Sequence, residues 1–133
     1  MIRIDELSLV ASLRPGCSDE EIVEAERAVA LRFPQAYMEL LRCSNGLLAH
    51  NDRTNLYGVQ ELPERNATYE AARYAPGWIM IGDDCGGHAI LMAAEGGPPG
   101  VFVVDMGSMA LDDGDPVASD LREWIDKGLP YRG

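Results

Sequence analysis

Asp83, Asp84 and His88, with Asp105 further along the chain, have the side-chain chemistry to hold a divalent ion or to move protons. Two carboxylates on a turn, followed by an imidazole on the outgoing strand, offer the oxygen and nitrogen donors such ions take. Their spacing matches no recognised metal motif. Aspartates are also favoured in turns because they bond their own backbone, and a histidine there can simply line a sheet face. No metal ligand, catalytic residue or cofactor is assigned on this basis. Nucleophilic catalysis is served less well, because the only histidines, His50 and His88, sit in no motif that pairs them with a serine or cysteine. Cys85 lies beside Gly86 and Gly87, but its acidic neighbours disfavour the thiolate. The glycines Gly82, Gly86 and Gly87 lack the lysine of a phosphate loop.

A second acidic group, Asp112, Asp113 and Asp115 around Gly114, lacks the spaced ligands and terminal glutamate of a calcium loop. It reads either as a solvated turn or as an acidic contact patch shared with Asp83 and Asp84. Strand 101–105 would bring the two groups to one end of a sheet. The candidate partner-binding residues are therefore Asp83, Asp84, Asp112, Asp113 and Asp115.

The elements that must position these groups are marked in the sequence. Ser18-Asp19-Glu20-Glu21 is a capping box, with carboxylates against the positive end of a helix expected over 18–32. Ile22, Ala25, Val29 and Phe33 recur at helical spacing along it. A second helix spans 33–43, with Pro34 suited to its first position, Asn45-Gly46 suited to its end, and Tyr37, Leu40 and Leu41 on one face. The polar stretch 47–54 reads as a surface loop before a short strand at 56–59, and 66–74 as a helix capped by Asn66. Apolar runs at 78–81 and 88–93, separated by a glycine-rich turn, form a hairpin. The continuously apolar 101–105 is a strand buried on both faces, and 120–127 is a closing helix with Leu121, Trp124 and Ile125 inward. The fold class is α+β: a mostly antiparallel sheet of about four to six strands flanked by N-terminal helices and a C-terminal helix.

A chain of 133 residues, 47% of them hydrophobic, fits one globular domain despite its net charge of −11. No stretch approaches the ~20 apolar residues of a membrane helix and no signal-peptide run opens the chain, so a cytoplasmic protein without membrane contact is expected. Cys17, Cys43 and Cys85 are odd in number and widely spaced, which predicts thiols rather than a disulfide framework or a zinc site. An acidic pI near 4.4 disfavours nucleic acid and suits a basic protein partner.

The aromatic-Pro helix start at Phe33-Pro34, the Asn45-Gly46 finish, and the block Ile81-Gly82-Asp83-Asp84-Cys85-Gly86-Gly87-His88 occur in an order that resembles the SUKH superfamily (Smi/Knr-like). The likeness runs over about 18–129. His88 departs from it, standing where that family commonly carries an acidic or amide residue. The resemblance implies the same α+β layout and a non-enzymatic protein-binding role. In bacteria that role is an immunity protein that binds and neutralises a cognate polymorphic toxin, often a nuclease. Alternatively, the resemblance implies a small regulatory or scaffold domain related to fungal cell-wall-synthesis regulators. A metal-dependent hydrolase built on Asp83, Asp84 and His88 is the third class considered.

Overall fold

A computed structural model describes residues 8–9, 11–49 and 53–130. Its first helix, α1 (Asp19–Val29), begins as the sequence predicts: the Glu21 N–H donates to Ser18 Oγ at 3.2 Å, and the Ser18 N–H donates to Glu21 Oε1 at 2.9 Å. The helix is shorter than expected because Ala30 turns left-handed at φ 60° and returns its N–H to Arg27 and Glu26. Glu26 then catches the departing chain, accepting the Phe33 N–H at 2.7 Å. Phe33 is thereby set against Tyr37, ring centroids 5.1 Å apart, in the interior.

Helix α2 (Gln35–Cys43) buries Tyr37, Leu40 and Leu41 as expected, with Pro34 in the cap position just outside its first turn. Of the two residues expected to finish it, only Gly46 is left-handed, at φ 84°. A side chain there would stand 2.7 Å from the Gly58 nitrogen, so this close approach requires glycine. Asn45 acts through its amide instead. Its Oδ1 accepts the Val59 N–H at 2.8 Å and its Nδ2 donates to Gln60 at 2.9 Å, which clamps the segment after the third strand to the end of α2.

Among the described residues the sheet has seven strands in chain order, each antiparallel to its neighbours: β1 (Ala11–Leu13), β2 (Leu47–Ala49), β3 (Thr54–Leu56), β4 (Trp78–Asp83), β5 (His88–Ala93), β6 (Val101–Asp105) and β7 (Asp115–Ala118). This exceeds the expected four to six. Leu47–Ala49 is a strand and not part of a surface loop, because Leu47 and Ala49 point inward and pair with Leu13 and Ala11. The turn expected over 112–115 gives up Asp115 to an edge strand, Asp115–Ala118, which pairs with β6 and sets Pro116 opposite Phe102, an edge being where a sheet tolerates proline. The expected strand at 56–59 gives way to β3, which ends at Leu56. His50, Asn51 and Asp52 of the expected loop lie outside the described residues.

Between β3 and β4 the expected single helix is two, α3 (Leu62–Thr68) and α4 (Ala71–Tyr74), broken by Glu70 in a left-handed conformation. Asn66 does not cap either. Because β3 stops at Leu56, one side of Met80 faces no strand, and Asn66 supplies the missing partners. It accepts the Met80 N–H at 2.9 Å and donates to the Met80 carbonyl at 3.1 Å. Helix α3 is thus tied to β4 beside a bulge between Met80 and Gly82. Strands β4 and β5 are buried on both faces over Ile79 to Gly82 and Ala89 to Ala93, whereas in β6, expected to be buried on both faces, Val101, Val103 and Val104 are buried and Phe102 is only half-buried. The closing helix α5 (Leu121–Asp126) is capped by Asp120 and buries Leu121, Trp124 and Ile125. The Trp124 indole donates to the Pro130 carbonyl at 2.9 Å. Cys17, Cys43 and Cys85 are thiols. No helix among the described residues is long and apolar enough to cross a membrane.

Candidate functional site

In an up-and-down sheet, alternate connections leave the same end. The β4–β5 turn (84–87) and the β6–β7 connection (106–114) share one pole, and the Met106 N–H donates to the Gly87 carbonyl at 2.9 Å, joining the two. The two acidic groups read from the sequence are therefore brought to neighbouring loops.

Their carboxylates are not alike. Asp83 ends β4 half-buried, its Oδ2 accepting the Tyr57 hydroxyl at 2.5 Å and its Oδ1 the Cys85 N–H at 3.0 Å. Asp84 Oδ1 accepts the N–H groups of Gly86 at 2.8 Å and His88 at 3.0 Å, while Oδ2 lies 2.9 Å from His88 Nδ1. The Asp84 side chain is only 12% exposed. Both carboxylates therefore shape the turn, which carries Cys85 at φ 60° and Gly87 at φ 97°. Asp105, paired across the sheet with His88, does the same for the next loop by accepting the Gly107 and Ser108 N–H groups at 3.0 and 3.1 Å. Asp112 is exposed on a 3-10 turn (Leu111–Asp113) that also contains Asp113, and Asp115 begins β7, half-buried, opposite Val103.

Among the described residues no three His, Cys, Asp or Glu side chains converge as a group that could hold a metal ion. Asp83, Asp84 and Asp105 instead accept backbone N–H groups, Asp83 takes the Tyr57 hydroxyl as well, and Asp84 pairs with His88. The residue that sequence reasoning missed is Tyr57. It is buried, and burial first, then its bond to Asp83 and that carboxylate's charge, push its hydroxyl well above the ordinary tyrosine range. Burial, reinforced by Glu21 at Cys17 and Glu39 at Cys43, likewise raises those two thiols, which suits packing rather than nucleophilic chemistry.

At the opposite pole the first turn of α2, the β5–β6 connection and the start of α5 enclose a cleft of about 330 Å³. Nothing in the sequence announced it, since its walls come from three segments far apart in the chain, of which Gly96-Gly97-Pro98-Pro99 reads only as a turn.

Compared with known proteins, residues 16–127 match the model of the SMI1 / KNR4 family (SUKH-1), the relationship that the paired helix and turn motifs imply. No curated protein matches the chain.

Proposed function

The chain belongs to the SMI1 / KNR4 family (SUKH-1), and from that membership we propose that it is a non-enzymatic binding domain, an immunity protein that sequesters a basic toxin domain. The observation that carries the reading is charge: a net −11, with two acidic loops hydrogen-bonded side by side at one pole. A nuclease must present a basic surface to hold phosphates, so an acidic protein of this size can cover that surface in place of nucleic acid. Complementary charge also speeds the encounter and penalises wrong partners. The non-enzymatic part of the proposal is supported by the use of the Asp83 and Asp84 carboxylates as turn acceptors, which occupies the oxygens a hydrolase would need.

The test is co-expression with the basic product of a neighbouring reading frame in a host that this product poisons. Restored growth together with a complex on size-exclusion chromatography is expected. Failure of both, with the chain folded and abundant, overturns the toxin assignment in favour of a regulatory or scaffold role.

A further inference from the structure

We infer that the cleft between α2, the β5–β6 connection and α5 receives the cationic side chain, arginine or lysine, of a protein partner. The inference rests on the protein-binding reading above and gives it a second contact, at the pole away from the acidic loops. Glu95 and Asp120 stand in its lining, and among the described residues neither is held in an ion pair. Asp120 spends Oδ1 on the Glu123 N–H at 2.8 Å, which leaves its second oxygen for a ligand. Arg122, the cation in the lining, is held by Glu39 at 3.0 Å, and the other oxygen of Glu39 is buried without a hydrogen-bond partner. With Glu39, which lies behind Arg122 and outside the lining, three carboxylates thus stand against one guanidinium.

The first turn of α2 pulls the other way, because Pro34 provides no side-chain cap and the helix end carries partial positive charge. That end and the start of α5, which opens on the same cleft under its Asp120 cap, amount to roughly half a charge each at most, against two net negative charges, so a cation wins. Shape agrees. Pro34, Pro98 and Pro99 give the cleft rigid apolar walls, against which a long aliphatic stem can lie with its charged head at the carboxylates. A volume of about 330 Å³ is ample for one such side chain. Arginine is also a common anchor at the centre of protein interfaces.

The full chain, labelled with ¹⁵N, can be titrated with the peptide acetyl-Gly-Arg-Gly-amide, with the same peptide carrying neutral citrulline, and with inorganic phosphate. Saturable shifts from the arginine peptide are expected at the amides of Gln35, Ala36, Gly96, Gly97 and Arg122, with binding weakened by roughly tenfold for citrulline, a cost of about 1.4 kcal/mol. The double variant Glu95→Gln, Asp120→Asn should lose these shifts while keeping a dispersed spectrum, since asparagine still caps α5. Shifts centred on the acidic loops, equal binding of citrulline, phosphate filling the cleft, or no saturable shift at all would each overturn the inference. None of these outcomes involves the toxin, so the growth assay judges the sequestration proposal separately.

Discussion

Asp83 holds its place at the end of β4 through a donor from another part of the chain, the hydroxyl of Tyr57. Tyr57→Phe keeps the ring packing and removes that donor, leaving a half-buried carboxylate oxygen short of a partner. A loss of about 1–3 kcal/mol is expected, read from urea unfolding. A change under ~0.3 kcal/mol would mean that water replaces the hydroxyl at no cost. Tyr57 and Tyr37 also carry a pH signature, because burial raises both hydroxyls above the usual tyrosine value of about 10. Their neutral form is favoured in the folded state. The stability they contribute is fully present below pH ~10 and falls above it, as the unfolded chain ionises and the folded chain does not. Spectrophotometric titration should find Tyr37 and Tyr57 ionising only as the protein unfolds. Ionisation of these two in a still-folded chain would contradict the burial.

At the scale of elements, α2 is the test of packing, since Leu40 and its neighbours Tyr37 and Leu41 form the face it presents to the interior. Leu40→Ala should cost about 2–5 kcal/mol through lost transfer energy and a cavity. A denaturant titration changed by less than ~0.5 kcal/mol would place Leu40 at the surface. Elements whose signals are local were legible in the sequence: the Ser18 capping box, the inward face of α2, the β4–β5 hairpin, and the Asp120 start of α5. Those that depend on distant partners were not. Ala11–Leu13 is too short for alternation to register and exists because β2, some 36 positions on, pairs with it. Asp115–Ala118 contains residues that read as turn formers, and only an edge position makes Pro116 tolerable in a strand. The break at Glu70 places a non-glycine residue in a conformation that favours glycine, so no local signal marks it. For the candidate site, the turn character of Asp83 and Asp84 was readable from their type. The bond from Tyr57 and the joining of the two loops through Met106 and Gly87 arise only when separate strands are brought together.

For the molecule as a whole, the proposed binding role would divide between two poles, with acidic loops at one end acting at a distance and a cleft at the other acting on contact. Among the five aspartates at the first pole, Asp83 and Asp84 are committed to the turn, while Asp112 is exposed. Replacing Asp112, Asp113 and Asp115 with asparagine should therefore act on the encounter with a basic partner, whereas replacing Asp83 and Asp84 should also loosen the 84–87 turn. Steering by exposed charge is screened beyond the Debye length, ~8 Å at physiological salt. It enters the association rate more than the dissociation rate. Once the cognate partner is in hand, stopped-flow association at low and high salt should show the triple variant slower at low salt, converging with the parent as salt rises. Dissociation should be little changed. Equal association at every salt concentration, in a variant still folded by circular dichroism, would remove the acidic loops from the interface.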